Sequence, residues 1–183
     1  MMKRKIEKIV RDICAYNGFS KVQEEQINYT LKVIIYEIIK FTLLILIFAL
    51  LGYFKESILI VVVMMITKPF IGGYHEDTQF KCFLATVLLV IFIIYLSTNI
   101  HLDFVSSIIL NLISTFVIYN KAPIINNKMP ITKENLIKRN RVIGITNTII
   151  ICSVSLLIFG SSVYSEVLIW SVVVQAMLMF NKR

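Results

Sequence analysis

His75 and Cys82 stand seven residues apart in the stretch Gly72-Gly73-Tyr74-His75-Glu76-Asp77-Thr78-Gln79-Phe80-Lys81-Cys82, in a chain with only 2 His and 3 Cys. A thiolate is a strong nucleophile once its proton is gone, and a nearby imidazole can take that proton. The chemistry open to such a pair is attack on a carbonyl through a covalent thioester. Glu76, Asp77 and Gln79 are close enough in sequence to orient the imidazole, as a third group does in other triads. A solvated turn is the favoured reading of them, because adjacent residues rarely reach back to their neighbour's ring.

Those residues need a particular backbone. Along one straight helix, seven residues rise about 10.5 Å. Helical side chains lean toward the N-terminus, so His75 would point away from Cys82. A thiol–imidazole contact therefore requires the chain to fold back between them. Gly72-Gly73 permits backbone angles closed to other residues, and Glu76-Asp77-Thr78-Gln79 is polar and turn-prone. The spacing predicts a loop or a broken helix carrying the pair, with Cys82 near the N-terminus of the helix that follows. The positive end of that helix and Lys81 favour a thiolate, while apolar burial opposes it.

The elements around the pair are apolar. The 183 residues are 57% hydrophobic, with a mean hydropathy of +0.80, which excludes an ordinary soluble domain. Apolar runs approach the roughly 20 residues that cross a bilayer as a helix. Isolated strands cannot satisfy their backbone in lipid. The expected fold is an all-α integral membrane protein: an N-terminal amphipathic interfacial helix plus about six transmembrane helices. We read residues 1–183 as a single membrane domain, with 1–32 a cytoplasmic amphipathic region and 33–183 the transmembrane bundle. No apolar segment with a small-residue cleavage site follows the basic start, so a cleaved signal peptide is not expected.

Residues 3–14 place Ile6, Ile9, Val10, Ile13 and Cys14 at helical spacing, with basic residues opposite. Asn17-Gly18 should break this helix. Ser20 reads as the next N-cap, with Gln23 in the capping-box position. Spans are expected at about 33–51, 57–71, 82–98, 103–119, 142–160 and 163–180. The second is the weakest, since Thr67-Lys68-Pro69 interrupts it, and a re-entrant segment is the other reading.

Charge sets the topology. Of the 19 Lys and Arg, seven lie in residues 1–32 and six in 121–141. Lys68 and Lys81 flank the His loop, and Lys182 and Arg183 end the sequence. Six crossings put all of these on the cytoplasmic side, as the positive-inside rule requires. Lys55 alone falls in the opposite loops, and Lys40 lies within a span. The net charge of +8 thus serves topology and anionic lipid. It is split among membrane-flanking segments, so no nucleic-acid partner is expected.

Glu37 and Lys40 lie about one helical turn apart inside the first span, where ionisable groups are costly and often functional. They can pair, snorkel or line a substrate groove. Lys121, Lys128, Lys133, Lys138, Arg139 and Arg141 can steer an acidic peptide, or simply fix topology. Asn111, Asn147 and Gln175 are candidates for interhelical hydrogen bonds. His101, Cys14 and Cys152 are assigned no chemistry. An odd number of scattered cysteines with no CxxC indicates neither a disulfide framework nor a metal site. No cofactor is expected.

Gly72-Gly73-Tyr74-His75 followed by Cys82, after a basic residue at 68, resembles the core motif of the accessory gene regulator protein B (AgrB) family, membrane cysteine endopeptidases of Gram-positive quorum sensing. Length, basic amphipathic start and multiple spans agree. The loop from Tyr119-Asn120-Lys121-Ala122-Pro123 to Lys128-Met129-Pro130 resembles the family's Ala-Pro…Lys-x-Pro segment. Family members usually carry Arg where this chain has Lys68, which keeps the charge but loses the bidentate fork. The resemblance implies His75 as general base and Cys82 as nucleophile. Lys68, Gly72, Gly73, Glu76, Asp77, Gln79, Glu37 and Lys40 are supporting candidates. It implies an AgrD-like precursor peptide with an amphipathic leader and an acidic C-terminal tail, cut before the tail and closed into a thiolactone or lactone. It also implies a multi-pass protein of the cell membrane of a Gram-positive bacterium, with a homodimer as a plausible assembly.

Two other classes stay open on the residues alone. A small peptide or solute transporter would also use broken helices and intramembrane charge, although no internal repeat is visible. A non-catalytic membrane scaffold would make the His–Cys grouping a coincidence.

Overall fold

The computed structural model describes residues 2–72, 78–125, 133–160 and 163–180. Those residues form seven helices: α1 (Met2–Asn17), α2 (Lys21–Leu50), α3 (Phe54–Ile71), α4 (Gln79–Asn99), α5 (Phe104–Lys121), α6 (Glu134–Leu157) and α7 (Tyr164–Leu178). The expected all-α class is observed. The chain divides into two compact units, Met1–Leu46 and Ile47–Arg183.

In the first unit, local chemistry fixes the helix ends. Gly18 takes a left-handed φ of 64°, and the Phe19 N–H reaches back to the Cys14 carbonyl at 3.0 Å, the closing bond of a Schellman turn. Ser20 and Gln23 then form the expected capping box. The Ser20 N–H donates to Gln23 Oε1 at 2.9 Å, and the Gln23 N–H donates to Ser20 Oγ at 3.3 Å. This reciprocal cap starts α2 well before its apolar part, so the helix runs through the polar residues 21–32 without a break. Val10 and Cys14 of α1 are buried against Ile27, Leu31 and Ile35 of α2, and Lys32 Nζ pairs with Glu7 Oε1 at 2.8 Å. Ile13, expected on the same apolar face, stays 46% exposed. Burial, and after it the Glu24 carboxylate, pushes the Cys14 thiol up, which suits a packing residue and not a nucleophile.

In the second unit α7 is central, packing against α3, α4, α5 and α6. Nine of its 15 residues are buried. The helices around it are joined through small and polar side chains, as is usual where lipid supplies no hydrophobic drive between helices. Asn111 Nδ2 donates to Ser155 Oγ at 3.0 Å, linking α5 to α6. Ser165 Oγ donates to the Ser155 carbonyl at 2.7 Å, linking α7 to α6. Thr67 Oγ1 donates to Gln175 Oε1, linking α3 to α7. Asn147 Nδ2 of α6 donates to the Ile66 carbonyl of α3 at 2.5 Å. Asn111, Asn147 and Gln175 therefore join helices, as expected.

Four helices, α2, α4, α5 and α6, are long and apolar enough to cross a membrane by length and composition. Only 22–28% of each apolar window is buried inside the protein. Much of the rest, including Leu88, Ile91, Phe92, Ile113, Phe116 and Ile150, is exposed. So much outward aliphatic and aromatic surface requires an apolar solvent. The other two expected spans differ for physical reasons. α3 carries Lys55, Glu56 and Lys68 in its 18 residues. α7 has only 15, a rise of about 22 Å against a hydrocarbon core of about 30 Å.

Candidate active site at the junction of the third and fourth helices

The site begins where α3 stops. Pro69 lies inside its last turn and cannot donate to the carbonyl one turn back, which weakens the ladder there. The Asn147 amide, bonded to the adjacent Ile66 carbonyl, supports the same turn from α6. Gly144 lets α6 approach. A Cβ at this position would lie 2.6 Å from Ile71 Cγ2 and 3.3 Å from the Ile71 nitrogen. Ile71 itself is fully buried.

Gly72 ends the helix. Its N–H donates to the Lys68 carbonyl at 3.0 Å, and its φ is 75°, in the region that favours glycine. Its α-carbon faces the backbone of Ile124 so closely that a Cβ would collide with the Ile124 carbonyl oxygen. The Ile124 N–H in turn donates to the Ile71 carbonyl at 2.9 Å. The Ala122–Ile125 strap after α5 is thus laid across the end of α3. Its origin is held by Arg141, whose Nη2 donates to the Tyr119 carbonyl at 3.0 Å and whose guanidinium lies 5.3 Å from the Tyr119 ring centre.

Gly73, Tyr74, His75, Glu76 and Asp77 lie outside the described residues. The chain is described again at Thr78, the N-cap of α4, whose side chain accepts the Lys81 N–H at 3.3 Å. Gln79 and Lys81 are exposed. Cys82 is the fourth residue of α4 and half-buried. Its N–H donates to the Thr78 carbonyl at 3.0 Å, and its carbonyl accepts Thr86 Oγ1 at 2.8 Å. The cysteine therefore occupies the first turn of its helix, as its sequence context suggests. Lys68 lies half-buried in the last turn of α3.

Glu37 and Lys40 belong to the first unit. Lys40 Nζ lies 2.5 Å from Glu37 Oε2, with side chains 7% and 34% exposed, and 4.7 Å from the Phe41 ring centre. Of the possible alternatives, pairing is what the structure contains. Among the basic residues of 121–141, Arg141 is engaged with Tyr119, and Lys121 lies 5.1 Å from the Phe180 ring centre. Lys128 lies outside the described residues. Sequence reasoning missed the support given by Gly144 and by the strap at Ile124. An isolated glycine inside a helical pattern was the available signal for the first.

The model of the family "Accessory gene regulator B" matches residues 6–179. A putative AgrB-like protein 1 of Clostridium perfringens is 44% identical over 181 residues, covering 99% of this chain and 95% of the relative. A putative AgrB-like protein of Clostridium beijerinckii is 28% identical over 72% of this chain and 67% of its own length. The accessory gene regulator protein B of Staphylococcus aureus (strain Newman) is 25% identical over 84% of this chain and 81% of its own length. No solved structure matches the chain. With a match that runs from α1 to the end of α7 and a relative of nearly equal length, this chain belongs to the accessory gene regulator B family.

Proposed function

We propose that this chain is a membrane-embedded cysteine endopeptidase of a quorum-sensing system, which removes the C-terminal tail of a short precursor peptide and promotes its cyclisation. The observation that carries the reading is Cys82. It is a half-buried thiol residue in the first turn of α4, directly after the short segment that holds His75, in a chain of the accessory gene regulator B family.

In this mechanism His75 accepts the Cys82 proton, and sulfur attacks the carbonyl before the acidic tail. The C–N bond breaks, and His75 returns the proton to the leaving amine. The peptide stays on Cys82 as a thioester. The peptide's own Cys then attacks that carbonyl, freeing Cys82 and closing a thiolactone; a Ser there gives a lactone. Thioester exchange costs little, and a held thiol has a large effective molarity. Water must be excluded for cyclisation to outrun hydrolysis, which suits a site at a membrane interface.

The partners in this reading are an AgrD-like precursor, the lipid of the cell membrane and a second copy of the chain. Both termini and the His–Cys loop face the cytoplasm, with α3 and α7 completing six crossings. A reporter fused after Asn127 should give a cytoplasmic signal; an exterior signal would rule that topology out. The activity itself is tested with purified protein in lipid vesicles and an acidic-tailed precursor. The parent should release the tail and form an adduct on Cys82 by mass spectrometry, with neither event in Cys82→Ala or His75→Ala. Tail release that persists in both variants would sink the proposal.

A further inference from the structure

Pro123 leaves a gap in the hydrogen-bond ladder of α5. Tyr119 stands four residues before it, and a proline has no N–H to donate to the Tyr119 carbonyl. The helix closes one residue earlier, where the Ala122 N–H reaches the Ile118 carbonyl at 2.8 Å. Arg141 supplies the missing donor from α6, with Nη2 3.0 Å from the Tyr119 oxygen and the guanidinium over the Tyr119 ring. The chain then turns away as the strap. A continuing helix would give the Ile124 N–H to the Asn120 carbonyl. It goes instead to the Ile71 carbonyl at 2.9 Å, one of the last four of α3, which have no donor within their own helix.

Two carbonyls at two helix ends are thus satisfied across the bundle. Ile71, Ile118 and Ala122 belong to one buried cluster, and Ile124 packs against it. α6 braces both ends: Arg141 holds α5, while Gly144 lies against Ile71 and Asn147 bonds the Ile66 carbonyl. His75 follows Gly72 by three residues, a reach of at most about 11 Å. The end of α3 therefore limits where the imidazole can go. A misplacement of about 1 Å can cost about a hundredfold in rate.

We propose that Arg141 is a positioning residue of the reaction: through the Tyr119 carbonyl and the strap at Ile124 it fixes the end of α3 from which the His75 segment starts. The role rests on the peptidase reading above. It differs from steering an acidic peptide, which acts on capture of the substrate and weakens with salt.

Tail release by the full chain in lipid vesicles tests the role, counted per mole of inserted protein. Arg141→Met keeps an apolar stem and loses the donors. It should lower kcat about tenfold, the worth of one hydrogen bond from a charged donor, with KM unchanged. Arg141→Lys keeps an ammonium donor and should recover part of the loss. Arg139→Met removes the same charge from an exposed neighbour and should keep the parent's kcat. Circular dichroism is the folding check. The strap itself is read without turnover, by NMR hydrogen exchange of the chain labelled at isoleucine nitrogen, in lipid nanodiscs. In the parent the Ile124 amide should exchange at least about tenfold more slowly than that of Ile125, which is exposed and has no backbone partner among the described residues. Arg141→Met should bring the two rates together. Equal rates in the parent would overturn the strap. A folded Arg141→Met with the parent's kcat, or with a raised KM alone, would overturn the positioning role. A parent that releases no tail while Ile124 stays protected would sink the peptidase reading, and this role with it, but not the strap.

Discussion

Ile124 donates its backbone N–H to the Ile71 carbonyl at 2.9 Å, so the strap that follows α5 is tied to the last residue of α3. The next residue, Gly72, then has no room for a side chain because the Ile124 carbonyl fills the space. Gly72→Ala should suffer twice, from a left-handed φ of 75° and from collision with backbone that cannot rotate away. Strain of this kind costs about 1–3 kcal/mol. Gly18→Ala is the matched control, since its φ is 64° but nothing lies within 4 Å of its would-be Cβ. Thermal unfolding in detergent should rank Gly72→Ala well below Gly18→Ala. Equal losses would mean that the strap does not press on Gly72 in solution.

The contrast between those two glycines shows what the sequence makes legible. The Asn17-Gly18 break, the Ser20–Gln23 box and the six apolar helices are read from local pattern, because each depends on residues within one or two turns. Cys82 at the head of α4 follows from the same logic, with Gly72 ending α3 and Thr78 capping α4 just before it. The Gly72–Ile124 approach depends on how α5 returns to α3, which no local pattern encodes. The approach of His101 to Glu166, with Nδ1 and Oε1 3.6 Å apart, is invisible for the same reason. The bond from Arg141, one of the basic residues read as steering or topology, to the Tyr119 carbonyl is likewise beyond local pattern.

Thr67 and Gln175 give a test of how polar bridges contribute. Gln175 Oε1 accepts from Thr67, but its Nε2 is buried with no partner among the described residues. A half-satisfied amide offsets much of what its bond contributes. A double-mutant cycle with Thr67→Val and Gln175→Met should give a coupling of about 0.6 kcal/mol and below about 1.7 kcal/mol. The double variant should unfold within about 1 kcal/mol of the parent. A coupling of several kcal/mol would show that the missing partner is supplied and that the network is fully bonded.

Asp103 caps α5, its carboxylate accepting the Ser106 N–H at 3.2 Å. The bonds from Ser106 hold its carboxyl below the usual range. A lowered folded-state value means that the charged cap stabilises the protein above the unfolded value, near 3.9. That stabilisation disappears as pH falls through the folded value. Asp103→Ala should lower the melting temperature at pH 7, and the gap from the parent should narrow below about pH 4. Asp103→Asn, which keeps a cap oxygen, should fall between the two at pH 7. A gap that is the same at pH 7 and pH 3 would assign the effect to packing and not to the charged cap.

Lys40 and Glu37 are a charge pair inside the apolar part of α2, with Nζ and Oε2 2.5 Å apart. Removing one partner leaves a charge where charge is expensive, whereas removing both removes the problem. Lys40→Gln or Glu37→Gln alone should therefore reduce the amount of folded protein in membranes, and the double variant should restore it. The double variant also separates structure from function. If the pair lines a substrate groove, the restored protein should still process precursor more slowly than the parent, read as tail release per mole of inserted protein. Normal processing by the double variant would remove Glu37 and Lys40 from the site and leave them as a structural pair that neutralises itself in lipid.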